Sequence, residues 1–194
     1  MGAAKNLQTF DELYALVAAL PEGQHGEILG PGWVRTMSRP SGKHARLSKR
    51  FMRMFGGIDV DGGGDWWLDV EREIVFPGGK LYVPDIAGWI VADGDLTFAD
   101  ENPVRRIPDW VCEILSRTNQ RADRAIKLPT YAAAGVAHVW IADLEAECVE
   151  VYAAHDGKPL LIATCRGDET VELPPFGLAM NIAKLLDARV ATRG

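Results

Sequence analysis

The chain has 194 residues, of which 47% are hydrophobic and 25% charged. That composition suits one globular domain with a good core and excludes a disordered or collagen-like chain. The formal net charge of -6 argues against a uniformly basic coat for nucleic acid, but leaves room for a local basic groove. No apolar run reaches the roughly 18 residues of a membrane-spanning helix. The three cysteines, Cys112, Cys148 and Cys165, form no CxxC pair and read as reduced core thiols rather than zinc ligands. The opening MGAAKNLQTF lacks the apolar segment of a signal peptide, so the expected location is cytoplasmic.

In chain order, Thr9 and Glu12 make a capping box for a helix over about 10 to 20, with an apolar stripe of Leu13, Leu16, Val17 and Leu20. Glu27-Ile28-Leu29 and Trp33-Val34 read as a hairpin around Gly30-Pro31-Gly32. A second helix is expected from about Gly42 to Phe55, with Leu47, Phe51, Met54 and Phe55 inward. GGGD at 62–65 is a turn. Trp67 to Phe76 alternates as one strand, and Pro77-Gly78-Gly79 turns it into a second at 80–91. A polar, proline-bearing loop over 92–108 leads to an apolar strand at 111–115. A helix from about Asp123 to Ala134 follows, kinked by Pro129 and capped by Gly135. An apolar strand runs from His138 to Leu144, then strands near 147–153, 159–165 and 169–173, and a helix near 180–190. The helix between the strands at 111–115 and 138–143 implies a parallel pair. The expected class is α/β (α+β mixed), one domain over 1–194 with a mixed β-sheet flanked by helices.

Two acids interrupt apolar strands. Glu113 lies in the middle of Trp110-Val111-Cys112-Glu113-Ile114-Leu115, and Asp85 follows Pro84 in Val83-Pro84-Asp85-Ile86-Ala87. Isolated carboxylates in apolar strands are costly. Either each finds its own arginine or backbone donor, or the two share a divalent cation, for which hard oxygen ligands suit Mg²⁺ or Mn²⁺. Pro84 removes a ladder donor, and strands bend at such places. Asp123 and Lys127 stand at i, i+4 on one helix face, directly after the Glu113 strand. Lys127 can return a positive charge to Glu113; the plainer alternative is an exposed ion pair.

Three segments, "VPDIAGW", "PDWVCEILS" and "D...K...Y...GV..VWIAD", together resemble the Uma-type endonucleases of the PD-(D/E)XK, restriction-endonuclease-like superfamily. The resemblance runs from about Phe10 to the C-terminal helix. It implies a restriction-endonuclease-like core and metal-dependent hydrolysis of phosphodiester bonds in nucleic acid, with DNA the expected substrate and Mg²⁺ (or Mn²⁺) the cofactor. It implies Asp85 and Glu113 as metal ligands and Lys127 as the catalytic lysine, displaced from the position that Leu115 occupies here. The backbone carbonyl of Ile114 would be a further ligand. Glu27, near the start of the sheet, is a candidate ligand, either direct or through water, or else a surface glutamate. Asp123 would orient Lys127. His44, four residues after Pro40, would contact phosphate or metal, or serve as a capping or surface residue. Cutting both strands of a duplex would favour a homodimer.

Residues 35–53 contain Arg35, Arg39, Lys43, Arg46, Lys49, Arg50 and Arg53 and no acid. In an acidic chain this asymmetry suits a nucleic-acid backbone, with Arg46, Lys49 and Arg50 the expected contacts lining the approach to the acids; a solvated helix face is the alternative. Asp69, Glu71 and Glu73 alternate and read as a solvated sheet face, and Tyr131 reads as a core or dimer-surface residue. The competing function is an inactive module that keeps the nuclease fold, either binding nucleic acid or serving as a structural homodimer.

Overall fold

The structure, a computed structural model, describes residues 8–38, 42–91, 94–115 and 120–186. The expectations for Arg39, for the Lys43 side chain and for the last helix beyond 186 lie outside the described residues. Helix α1, Phe10–Ala18, begins at the expected capping box, with the Thr9 hydroxyl accepting from the Glu12 N–H and Glu12 accepting from the Thr9 N–H. It buries Leu13 and Val17. Leu16, expected in the same stripe, is 52% exposed, because this short helix covers only the small core around Ile28 and Leu81.

Strands β1, Gln24–Gly30, and β2, Trp33–Ser38, form the expected hairpin. The next two expected strands are each broken in two. β3, Trp66–Val70, is followed by β4, Ile74–Phe76; β5, Lys80–Tyr82, is followed by β6, Ile86–Ile90. The outer halves join a four-stranded sheet ordered β2-β1-β5-β4, and the inner halves enter a six-stranded sheet. Pro84, which has no N–H to give a ladder, stands at one break. At the other, Glu71 takes a left-handed φ of 52°. Asp69, Glu71 and Glu73 therefore do not share a sheet face, and Glu73 instead accepts a 2.9 Å hydrogen bond from the Tyr14 hydroxyl.

The six-stranded sheet is ordered β10-β9-β8-β7-β6-β3. It is a mixed sheet: β7, Trp110–Leu115, and β8, His138–Asp143, are its parallel pair, and its other pairings are antiparallel. The chain crosses between β7 and β8 through α3, Gln120–Ala122, a turn of π-helix over Asp123–Lys127, and α4, Leu128–Ala134. Gly135 closes α4 with a φ of 96°, the C-cap its position suggested. β9, Cys148–His155, and β10, Lys158–Arg166, extend the sheet, while β11, Thr170–Leu173, and β12, Leu178–Asn181, form a separate hairpin. The helix expected from 180 starts only at Ile182, as α5, Ile182–Leu186, since the preceding residues pair with β11.

Alternation along β7 sends its residues to two cores. Trp110, Cys112 and Ile114 face helix α2, Gly42–Phe55, which packs Leu47, Phe51 and Phe55 against them; Met54 is only partly buried. Phe55 meets Trp110 edge-on at 5.4 Å, and Trp110 meets Trp140 at 5.4 Å. Val111 and Leu115 face the opposite core, with Leu128 and Tyr131 of α4. Phe55 is fully buried. Phe55→Ala should destabilise the fold by about 3–5 kcal/mol in urea unfolding, and Met54→Ala by clearly less.

Candidate active site

The strand ends and breaks described above, with the first turn of α2, bring six of the expected side chains to one place. Glu27 on β1 is fully buried. Its hairpin partner in register is Arg35, whose guanidinium reaches Glu27 Oε2 at 2.5 Å. Glu27 Oε1 accepts from the Val83 N–H at 3.0 Å and from Lys127 Nζ at 2.9 Å. Glu113 lies on β7, pointing away from α2. Its Oε1 is 2.7 Å from Lys127 Nζ and also accepts the Tyr131 hydroxyl hydrogen bond.

Lys127 ends the π-turn, in which the Leu128 N–H bonds back to the Asp123 carbonyl, five residues earlier. Such single π-turns recur at functional sites. The expected i, i+4 pair is present: Lys127 Nζ stands 3.4 Å from Asp123 Oδ1. It is buried rather than a surface pair, with Glu113, Asp123 and Lys127 each 2% exposed. Arg124 anchors the turn from outside through a two-pronged pair with Glu150 and a 3.6 Å contact to Asp143.

Asp85 sits just before β6, where the pairing of β6 with β7 ends. Its Oδ2 accepts the Ile114 N–H at 2.6 Å, so the carboxylate takes the place of the ladder bond that the strand break removes. Its Oδ1 is 2.5 Å from Nε2 of His44, a buried residue in the first turn of α2. The Asp85 and Arg35 side chains are 14% and 19% exposed, so the cluster reaches solvent on their side.

The charges do not balance within this cluster. Four carboxylates, Glu27, Asp85, Glu113 and Asp123, meet two permanent cations, Lys127 and Arg35. The titration shifts follow. Burial would raise Glu27, but Lys127, Arg35 and the Val83 N–H outweigh it and hold its carboxyl below the usual range. Burial pushes Glu113 well up, and although Lys127 opposes this, Asp123, Asp85 and Glu27 reinforce it. Asp123 is raised by burial and its acidic neighbours in the same way. Burial pulls Lys127 down, but Glu113, Glu27 and Asp123 together drive it well up, so it is firmly an ammonium. Burial likewise lowers His44, and the hydrogen bond and charge of Asp85 reverse that to a net rise.

The residues fit a hard divalent cation by donor type and by charge. The donors are carboxylate oxygens, negative charge is in excess, and Asp123 Oδ1 is buried without a hydrogen-bond partner. Among the described residues, no three His, Cys, Asp or Glu side chains stand together in a metal-holding arrangement, because Lys127 lies between the acids.

Residues 7–183 match the Uma2 family, whose description is "Putative restriction endonuclease". The chain belongs to the Uma2 family. Its fold is similar to that of a crystal structure described as "a putative nuclease belonging to DUF820 from Anabaena variabilis". The TM-score is 0.72 at 22% identity, covering 93% of this chain and 98% of that one. No curated protein matches the chain.

Two residues of this Uma2 site were not expected there. Tyr131 was read as a core or dimer-surface residue, yet it donates to Glu113; it stands four residues after Lys127, on the same helix face, which is a countable signal. Arg35 was read only as part of a basic run, yet counting back across the Gly30-Pro31-Gly32 turn puts it opposite Glu27. Arg46, Lys49 and Arg53 are exposed, Arg50 is half-buried, and none of them reaches this cluster.

As Lys127 is the shared counter-ion, Lys127→Met leaves Glu113 and Asp123 buried without their ammonium and Glu27 with Arg35 as its remaining cation. In chelator, it should lose about 3–5 kcal/mol in urea unfolding. Tyr131→Phe, which removes one donor, should lose about 1–3 kcal/mol.

Proposed function

We propose that this chain is a divalent-metal-dependent nuclease that hydrolyses phosphodiester bonds, with DNA as its substrate and Mg²⁺ or Mn²⁺ as its cofactor. The observation that carries this reading is the excess of buried carboxylate over cation, with Asp85 at the solvent edge. Membership of the Uma2 family supports it. Asp85, Glu113 and the Ile114 carbonyl form the proposed ligand set. Glu27 is left out of it, because it is fully buried between two permanent cations, Arg35 and Lys127, whereas Asp85 reaches solvent; Glu27 anchors Lys127 instead.

When bound, the cation would lower the pKa of a water and polarise the phosphate. The chain's own residues supply the rest. His44 and the Ile114 N–H hold Asp85 from two sides, and Tyr131 orients Glu113. Asp123 and Glu27 hold Lys127 Nζ in place, as a fixed positive charge for the phosphoryl oxygens in the transition state. Cutting both strands of a duplex needs two such centres, so we extend the reading to a homodimer. Free Cys112, Cys148 and Cys165 suit the reducing cytoplasm as its location. Among the described residues no helix is long and apolar enough to cross a membrane.

The second reading, an inactive module with the same fold, draws on Leu115. It is 4% exposed and packed in the core where the superfamily's lysine would stand. Two measurements separate the readings. Calorimetric Mn²⁺ titration should show binding that Asp85→Asn and Glu113→Gln each abolish; a protein that binds no Mn²⁺ ends the metal reading. Nicking of supercoiled plasmid in Mg²⁺ or Mn²⁺ should fall on the order of 10² to 10³ in Lys127→Ala. Full activity in that variant would remove Lys127 from the chemistry, and plasmid left intact by a metal-loaded parent would favour the inactive module.

A further inference from the structure

We infer that the outer face of α2 is a docking surface for the phosphate backbone of nucleic acid, separate from the acidic centre. The inference rests on the nuclease reading for its choice of partner, but its geometry is independent of it. Arg46, Lys49, Arg50 and Arg53 lie at helical spacings on the half of α2 opposite its buried residues, and line a cavity of 220 Å³. The sequence suggests that they line the approach to the carboxylates; in the structure they face away from it. α2 packs on the sheet face of Trp110, Cys112 and Ile114, whereas Glu113 turns to the other face. The sheet and a helix of about 10 Å diameter therefore separate the basic face from Glu113.

Three observations point to an anionic polymer. First, like charges at i, i+3 and i+4 repel each other along a helix. A helix face that was merely solvated would relieve this with acids, yet the sequence of α2 holds none, in a chain with 27 acids and 21 basic residues. Among the described residues, no carboxylate pairs with Arg46, Lys49 or Arg53. Second, Arg50 is already held in place, donating to the Lys184 and Leu185 carbonyls of α5 at 2.9 and 3.0 Å. The face is thus preorganised at its centre. Third, the spacing suits a backbone. From position 46 to 53 the helix rises about 10 Å, at 1.5 Å per residue, which matches about three phosphates at 3.4 Å each along one strand.

His44 joins the two regions. It lies on the buried side of α2, in its first turn, and touches Asp85 at the solvent edge of the acidic cluster. A strand entering at Asp85 can continue round this end of α2 on to the basic face. The docked phosphates then lie at least about three nucleotides from the one being cleaved, since roughly 10 Å must be crossed. Affinity would come largely from α2 and turnover from the carboxylates, so the two can be separated by mutation. Short substrates would bind weakly.

The test is binding without cleavage. Fluorescence anisotropy of labelled duplexes of graded length is measured in chelator over a salt series, using the full chain and its Arg46→Gln, Lys49→Gln, Arg53→Gln triple variant. Arg50 is kept, because it also caps α5. The triple variant should bind long duplexes more weakly, with the slope of log affinity against log salt reduced by about 0.9 for each lost contact. The single Arg53→Gln variant should lose about one such unit. Duplexes too short to span α2 should show no difference, and calorimetric Mn²⁺ binding should be unchanged. Equal slopes and affinities for the folded triple variant and the parent would overturn the docking face, even if the parent cleaves DNA. So would binding confined to phosphatidylglycerol vesicles. Loss of Mn²⁺ binding in the parent would instead strike the nuclease reading and leave the basic face standing.

Discussion

The Lys127 ammonium, held between Glu27, Glu113 and Asp123 in the protein interior, is the interaction on which the site depends. A lone ion in that setting would be costly by many kcal/mol. Three acids and a lysine buried together reduce the problem without removing it, because the acids remain in excess. The raised Glu113 and Asp123 carboxyls are the residue of that imbalance. A divalent cation would complete it. The fold that sets Lys127 among these oxygens gives the buried acids their counter-ion, and a divalent cation bound here would compete with the ammonium for them.

Each part of the framework follows from keeping those charges in register. The hairpin of β1 and β2 puts Arg35 opposite Glu27. The break at Pro84 frees Asp85 from the ladder, and its carboxylate replaces the missing acceptor for Ile114. The π-turn brings Lys127 inward, and Arg124 clamps that turn to β8 and β9 through Asp143 and Glu150. Tyr131, one helical turn on, holds Glu113. The irregular places in the backbone are thus the places that hold the buried charges, while the regular strands and α2 carry the packing.

Charge is partitioned by layer. Glu27, Asp85, Glu113 and Asp123 are gathered between β1, β7 and the π-turn, whereas Arg46, Lys49 and Arg53, which among the described residues pair with no carboxylate, are spread on the outside of α2, beyond the sheet. A net acidic chain in this way carries a positive face on the far side of the sheet from Glu113. The end of α2, at His44, touches the acidic cluster through Asp85.

Much of this was legible in the sequence. Strand alternation and the isolated acids pointed to Asp85 and Glu113, helix spacing pointed to Lys127, and the three quoted segments pointed to the family. Those signals are local, so a short window contains them. Other features were not visible in this way. The strands at 66–76 and 80–90 each change sheets, because which neighbour a strand pairs with depends on elements far away in the chain. The basic run looked like a lining for the acids, since sequence gives a helix's inward face but not which side of the sheet that helix packs on. Glu27 looked like a ligand or a surface group, and only the packed structure set three donors around it. Sequence by itself determined which residues were too polar for their surroundings to be idle. Tertiary structure decided which of them meet, because burial and pairing are set by contacts between residues as far apart as Glu27 and Lys127.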